Sequence, residues 1–177
     1  MASLTERGNL RPVTPNAERP DLAESYGISP DADGLMSWPD VAARLAGARN
    51  YWIGTTRPDG RPHCVPVWGV WLDAALHFGT DATAVKSRNL RSGSPIAVHL
   101  ESGDDAVMLE GRAERVTEPK VMDQIAEAYV TKYGIDVVGD QTGTDFWRVV
   151  VNKGLAWGEA TFPTTATRFT FSSSDDV

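Results

Sequence analysis

Residues 51–91 read YWIGTTRPDGRPHCVPVWGVWLDAALHFGTDATAVKSRNLR, and this stretch decides the fold. It contains three strand-like runs, at residues 51–56, 63–72 and 75–79. Arg57-Pro58-Asp59-Gly60 predicts a turn after the first run, because proline presets φ and glycine supplies a positive φ. Asp73-Ala74 is predicted to close a second hairpin. Such a meander pairs without long crossovers, so it predicts the wall of a small antiparallel barrel.

A short basic helix is predicted directly after the meander, at residues 82–92, with Thr80 and Asp81 as capping candidates. It carries Lys86, Arg88 and Arg91. Backbone N–H groups at a helix start with cations within reach suit a phosphate. The alternative is a solvated helix face, which is what most lysine and arginine clusters are.

The flanking segments predict one domain with an arm and a tail. Residues 1–36 are predicted as an extended arm, either disordered or lying on a partner subunit or the site mouth, because prolines recur there. Residues 37–172 form the predicted split-barrel domain, and residues 173–177 a polar tail. Within the domain the pattern predicts a helix capped by Ser37, strands at 96–101 and 106–116, a helix capped by Thr117, a loop at 135–144, strands at 146–151, 155–160 and 167–171, and a bulge at Gly111.

Composition narrows the function classes. The chain has 177 residues, a formal net charge of −7 and one cysteine, Cys64. The acidic balance argues against nucleic-acid binding, so the basic residues after Thr80 favour a small anionic ligand. An intrachain disulfide is excluded, and no apolar run approaches a membrane span. The N-terminus has no secretory signal pattern, so the expected location is the cytoplasm, away from membranes.

No familiar nucleotide or hydrolase motif is present. The sequence has no P-loop and no G-x-G-x-x-G, which argues against a Rossmann fold. No catalytic side chain is predicted, since neither a nucleophile–histidine set nor a carboxylate pair is recognisable. His63, His77 and His99 lack metal-binding spacing, and hydrogen-bonded histidines are expected rather than metal or haem ligands.

The ordered motifs D-G-R-P-H, V-P-V-W-x-V-W, F-G-T and K-x-R-N-L, followed late in the chain by L-A-W-G at residues 155–158, resemble one known group. They are similar to the pyridoxamine 5′-phosphate oxidase-like split β-barrel superfamily, and within it to the actinobacterial branch that uses the deazaflavin coenzyme F420. The resemblance implies an FMN-binding-like split β-barrel of the α+β class with flanking helices. It also implies a homodimer whose sites lie between subunits.

The resemblance implies a cofactor site as well. The phosphate and acidic tail are expected at the glycine and hydroxyl residues of F-G-T and at the basic helix. The cofactor ring is expected against the V-P-V-W strand, for which barrel core is the alternative, and a late tryptophan is expected to close the pocket from the partner chain. These residues are Gly79, Thr80, Thr83, Lys86, Arg88 and Asn89 for phosphate and tail, Pro66, Val67 and Trp68 for the ring, and Trp157. Lys153 stands where several relatives have proline, which weakens transfer of detail to residues 152–154.

The implied activity is hydride transfer from reduced F420 to an unsaturated or carbonyl-bearing small organic substrate. The cofactor supplies the chemistry in such enzymes, while the protein supplies placement and excludes water. One alternative is an FMN-dependent oxidoreductase, because FMN also joins a phosphate to a tricyclic ring. The other is a non-catalytic protein that carries a cofactor or binds haem.

Overall fold

The computed structural model describes residues 14–137 and 143–172, and it combines an antiparallel sheet with flanking helices. Within that part of the chain the strands are β1 Asn16–Glu18, β2 Asn50–Thr56, β3 Pro62–Trp68, β4 Val70–Leu72, β5 Ala75–Asp81, β6 Ile96–His99, β7 Asp105–Arg115, β8 Thr144–Gly158 and β9 Thr167–Thr170. The helices are α1 Trp38–Gly47, α2 Val85–Arg91, α3 Pro119–Tyr133 and the single-turn α4 Phe162–Thr165, with 3₁₀ turns at Glu24–Tyr26 and Glu159–Thr161.

The sheet confirms the antiparallel prediction, but its hydrogen bonding does not close into a barrel. The main path runs β1-β9-β8-β7-β6-β2-β3, and β5 joins β8 while also pairing with β4. Strand β8 therefore has three neighbours: β7, β5 against its first half and β9 against its second half. The second edge of β3 faces no partner strand within the described residues.

The predicted strand at 63–72 divides into β3 and β4 at Gly69. A Cβ at Gly69 would lie 2.9 Å from the backbone carbonyl oxygen of His77, which is too close for any residue other than glycine. Its N–H donates to Tyr133 Oη at 3.0 Å, and its carbonyl accepts from Lys132 Nζ at 2.9 Å. Side chains of α3 thus take the backbone hydrogen bonds that a neighbouring strand would otherwise make.

Strand β8 is also longer than the sequence predicts. The expected interruption at residues 152–154 is wrong, because β7 and β9 pair with β8 there on opposite sides and hold it extended. The predicted bulge is confirmed: the register between β7 and β8 shifts between Glu110 and Gly111. Bulges of this kind let a long strand bend and change neighbours.

The helix boundaries match the sequence in part. Ser37 caps α1 as predicted, accepting the Asp40 N–H at 3.3 Å, and α3 ends before Gly134, which has a φ of 74°. The predicted caps of the other two helices are wrong. Thr80 and Asp81 belong to β5, and Asp81 Oδ1 accepts from both N and Oγ1 of Thr83, which makes a turn and delays α2. The residue before α3 is Glu118, not Thr117.

The N-terminal segment lies on its own chain. Residues 16–18 pair with β9, and the Arg19 guanidinium donates to four backbone carbonyls, those of Asp31, Asp33, Thr164 and Ala166. The disordered alternative is therefore wrong for residues 14–36. The first 13 residues of the predicted arm, part of the predicted loop (138–142) and the predicted tail (173–177) lie outside the described residues.

Two apolar clusters hold these layers together. The larger one joins α1 to the sheet and includes Tyr51, Phe78 and Phe169, all fully buried; the smaller packs α3 against Val70 and Phe146. Within residues 14–137 and 143–172, none of the helices combines the length and apolar composition that crossing a membrane requires.

Candidate functional site

A cavity of about 350 Å³ lies where β3, β5, β8 and α3 meet. It brings together three residues of the predicted site, Trp68, Gly79 and Thr80, although they come from different strands. Its other lining residues are Asp81, Tyr129, Asp136, Val137, Thr144 and Phe146. The lining combines three aromatic rings with hydroxyl and carboxylate side chains, and a concave space of this kind can hold a small molecule.

Trp68 is held flat at the edge of this cavity. Its side chain is 43% exposed and stacks on Tyr133, with ring centroids 4.7 Å apart and planes 7° apart. The Arg49 guanidinium carbon lies 5.7 Å from both ring centroids, which adds a cation–π contact. Tyr129 Oη also donates a hydrogen bond to the Trp68 backbone carbonyl at 2.9 Å. The indole therefore offers a preorganised planar surface.

The hydroxyl groups of Tyr129 and Tyr133, two residues that contact Trp68, stay protonated. Burial is the main cause that raises the pKa of Tyr129 well above its ordinary value, and burial likewise raises that of Tyr133. Both hydroxyls therefore remain hydrogen-bond donors at neutral pH and keep the strand end fixed.

The predicted ring-binding strand shows two different faces. Val67 is buried in the core, so the alternative of barrel core is right for that residue. Pro66 and Trp68 lie on the exposed face of β3. The strand thus presents an exposed face and an unpaired edge along the same residues, a geometry in which a flat ligand can meet backbone groups.

Most polar groups of the predicted phosphate site already bind the protein itself. Arg88 Nη1 donates to the Thr83 carbonyl at 2.6 Å, and buried Asn89 donates from Nδ2 to Thr55 Oγ1 at 2.9 Å. Thr83 is bonded to Asp81. Lys86 makes no hydrogen bond or ion pair within the described part of the chain, so its ammonium is available to a ligand.

Lys86 belongs to a basic corner together with Arg57 and His63. Burial is the largest cause that lowers the pKa of His63, and the positive charges of Arg57 and Lys86 lower it further. The imidazole Nδ1 is buried and has no partner among the described residues. The positive charges of Lys86 and Arg57 both act on His63, and an anion bound nearby would be favoured by both charges. Sequence reasoning missed Arg57 and gave His63 no role, although the turn R-P-D-G-R-P-H contains both.

Asp145 anchors the basic helix to β8. Its carboxylate is 1% exposed, accepts the Ser87 hydroxyl, and pairs with Arg91 at 2.5 Å and Arg115 at 2.9 Å. Burial tends to raise the pKa of Asp145, but the hydrogen bonds from Ser87 and Arg91 and the charge of Arg115 outweigh it, so the pKa lies below its usual value. Arg91 is thus committed to the fold.

Trp157 lies apart from this cavity in the same chain. It pairs with Ala106 across β7 and β8, and its indole meets the Phe162 ring edge-on at 5.5 Å. The interpretation that it lines the partner's site stays a prediction.

The histidines differ from one another. His99 stacks on Trp52, and its Nδ1 lies 2.8 Å from the Leu100 carbonyl, as the hydrogen-bonded interpretation expects. His77 is buried, with Nδ1 unpartnered among the described residues, and burial together with Arg148 lowers its pKa to about 4. In the described ranges no group of three or more histidine, cysteine, aspartate or glutamate side chains is arranged to hold a metal.

The chain is similar to a known protein family and to several solved structures. A family model described as pyridoxamine 5′-phosphate oxidase matches residues 37–158. A conserved hypothetical protein from Mycobacterium tuberculosis is 28% identical over 73% of this chain and 89% of its own, with a TM-score of 0.63. No curated protein matches.

Two haem proteins share the fold at lower identity. A haem storage protein from Vibrio cholerae is 14% identical, with coverage of 64% of this chain and 89% of its own and a TM-score of 0.56. A haem binding protein from Mycobacterium smegmatis is 18% identical, with coverage of 84% and 60% and a TM-score of 0.57.

Proposed function

The chain belongs to the pyridoxamine 5′-phosphate oxidase family, and on this premise we propose that it is an oxidoreductase that binds a phosphate-bearing tricyclic cofactor. Coenzyme F420 is the proposed cofactor, and FMN is the alternative that the same groups would accept. The observation that carries the proposal is the arrangement along β3, where the basic corner lies at one end and the aromatic cavity at the other.

The residues present fit such a ligand. His63 and Trp68 are five residues apart on one extended strand, which separates them by roughly 17 Å at about 3.3 Å per residue. An elongated molecule with an anionic end and a planar end therefore matches the unpaired edge of β3. The anionic end would meet Lys86 and Arg57, and the ring would lie beside Trp68, Gly79 and Thr80.

The protein groups in this proposal bind and orient the cofactor. Lys86 and Arg57 offer charge-assisted hydrogen bonds to a phosphate, while Arg88 and Asn89 support the turn and strand that carry the site. When bound, reduced F420 supplies a hydride for an unsaturated or carbonyl-bearing small organic substrate. Trp68, stacked on Tyr133, would shield one side of the ring from water.

The proposal includes a homodimer. Trp68 lines the cavity of about 350 Å³, and its side chain is 43% exposed. A partner subunit that contributes Trp157 would cover the exposed ring face. Sedimentation of the cofactor-free protein tests this part: a monomer at micromolar concentration would remove Trp157 from the site.

The first experiment is a fluorescence titration of cofactor-free protein with F420 and, separately, with FMN. Micromolar or tighter F420 binding with weak FMN binding supports the proposal, and turnover is then measured with reduced F420 and a panel of enones and quinones. Preference for FMN assigns the flavin alternative. Binding without turnover assigns a carrier. A Soret band on adding haem, lost when a histidine is replaced, assigns a haem protein.

Lys86→Ala tests the basic corner directly. Losing a charge-assisted hydrogen bond of about 1.5–3 kcal/mol weakens cofactor binding roughly 10- to 150-fold. Lys120→Ala is the matched control, because Lys120 is an exposed lysine at the start of α3. Equal affinities in the two folded variants would remove Lys86 from the site.

A further inference from the structure

A second and larger cavity, of about 540 Å³, lies between α1, β4 and α3. Among the described residues it shares no lining side chain with the first cavity. Its walls are the apolar residues Ala46, Val70, Trp71, Leu72 and Ala128, with Asp73, Gln124, Glu127, Thr131 and Lys132 as polar groups. The nucleophilic side chain among these is Lys132.

Lys132 is held by neutral oxygen atoms. Its Nζ donates to the Gly69 carbonyl at 2.9 Å and to Tyr51 Oη at 3.0 Å. The Tyr51 proton is itself donated to the Leu45 carbonyl at 2.5 Å, so the phenol oxygen accepts from the lysine. The ring centroids of Tyr51 and Tyr133 lie 4.8 Å and 5.4 Å from Nζ and favour the ammonium, but burial outweighs them and no carboxylate pairs with Lys132 in the described part of the chain.

The two acceptors match a neutral amine. An ammonium group has three N–H donors, whereas a free amine has two N–H donors and one lone pair. Both hydrogen bonds therefore survive deprotonation, and the third position becomes a nucleophilic lone pair. Burial favours the same state, because it lowers the pKa of Lys132 from 10.5 to about 8. A lysine activated in this way is typical of imine-forming sites.

We propose that Lys132 and this cavity form a covalent binding site for a small aromatic aldehyde. The lysine lone pair attacks the carbonyl carbon, the C=O electron pair moves to oxygen, and one nitrogen proton passes to that oxygen. The carbinolamine then loses its hydroxyl and the remaining nitrogen proton as water, while the nitrogen lone pair forms the C=N bond. No oxidant or reductant is needed for this condensation.

The cavity lining selects the ligand class. Trp71, Leu72 and Val70 offer an apolar wall on which an aromatic ring can pack. Asp73 and Glu127 line the same space and disfavour an anionic ligand by charge repulsion. The inference is independent of the proposed cofactor, since the two cavities are lined by different residues.

The test is competition among the four lysines of the chain, Lys86, Lys120, Lys132 and Lys153. The full-length protein is treated at neutral pH with limiting benzaldehyde and cyanoborohydride, and benzylated lysines are quantified by peptide mass spectrometry. A lower pKa increases the free-amine fraction roughly tenfold per unit. Lys132 is therefore expected to react at least tenfold faster than Lys120 or Lys153. Equal or slower reaction at Lys132 overturns the proposal.

A cavity variant separates ligand binding from simple reactivity. Ala46→Leu narrows the cavity from an exposed position on α1, and Ala43→Leu places the same side chain on α1 outside the cavity. Ala46→Leu is expected to slow benzylation of Lys132 at least threefold while leaving its methylation by formaldehyde unchanged. Ala43→Leu should leave both rates unchanged. Benzylation that is insensitive to Ala46→Leu overturns the aromatic site.

Discussion

Replacing Asp145 tests the anchor between the basic helix and β8. Asp145→Ala leaves the Ser87 hydroxyl, which is fully buried, without its acceptor. An unsatisfied buried hydroxyl costs about 1–3 kcal/mol. The pairs with Arg91 and Arg115 add no more than about 1 kcal/mol each, because those arginine side chains are 43% and 56% exposed and solvent screens them. We expect the free energy of unfolding to fall by about 3 kcal/mol.

Asp145→Asn separates the hydrogen bond from the charge. Asparagine keeps an oxygen that accepts the Ser87 hydroxyl but loses the attraction to the two arginines. The expected loss is therefore smaller, about 1 kcal/mol. The comparison between the two variants isolates the Ser87 contact.

The pH dependence follows from the direction of the pKa shift. Burial raises the pKa of Asp145, but the bonds from Ser87 and Arg91 outweigh it, so the folded pKa lies below the ordinary 3.8. Such a group contributes stability above its unfolded pKa, and that contribution is lost as the pH falls through the folded pKa. The side-chain amide of the Asp145→Asn variant cannot titrate, so the stability difference between wild type and this variant should shrink below about pH 4.

The assay is urea unfolding followed by tryptophan fluorescence at about pH 7 and at a series of pH values falling from about 4 through the lower range in which the folded carboxylate titrates. Changes in other carboxylates with lowered pKa values, such as Glu114, are common to both proteins and cancel in the difference. Equal losses for alanine and asparagine at neutral pH would refute the role of the Ser87 contact. A difference that does not shrink in acid would refute the electrostatic reasoning.

Two further predictions concern residues outside the site. Arg19→Ala should lower the free energy of unfolding by about 2 kcal/mol, because the guanidinium donates to four backbone carbonyls that join the N-terminal segment to the α4 region; an unchanged urea midpoint would contradict this. The pKa of His77 is about 4 in the folded chain, below the usual 6.5, because the imidazole is buried in its neutral form. This group therefore contributes stability above pH 6.5, about 3 kcal/mol in full, and the contribution is lost as the pH falls toward 4. His77→Gln should therefore lose less stability than wild type between about pH 7 and about pH 4 in urea unfolding, and parallel curves would disprove the assignment.

The sequence predicted those elements that local chemistry determines. The hairpin at Asp73 and Ala74 was predictable, and the structure gives both residues positive φ values of 49° and 58°, as a type I′ turn requires. The bulge at Gly111 and the end of α3 at Gly134 are local signals of the same kind. In each case the residues that determine the geometry are adjacent in the chain.

The missed features depend on distant partners. The break at Gly69 is completed by Tyr133, which is 64 positions later in the chain. Residues 152–154 resemble a turn, yet two neighbouring strands hold them extended. Local propensity cannot anticipate either pairing, because tertiary contacts override it.

The same reasoning explains the site. Trp68, Gly79 and Thr80 were predicted together and line one cavity. Arg88 and Asn89 carry the right chemistry in sequence but use it on Thr83 and Thr55, which only the folded chain reveals. Conversely, the sequence gives His63 no role, yet in the folded chain the charges of Arg57 and Lys86 both act on it.

The many partners of β8 have a consequence for synthesis of the protein. Strand β5 carries Gly79 and Thr80, yet its sheet neighbours are the three-residue β4 and the first half of β8, which is translated more than sixty residues later. Strand β1 waits for β9 at residues 167–170. Such long-range pairs are slow to form and cannot begin before both strands leave the ribosome. A nascent chain stalled before residue 144 would therefore contain neither the cavity beside Trp68 nor the docked N-terminal strand.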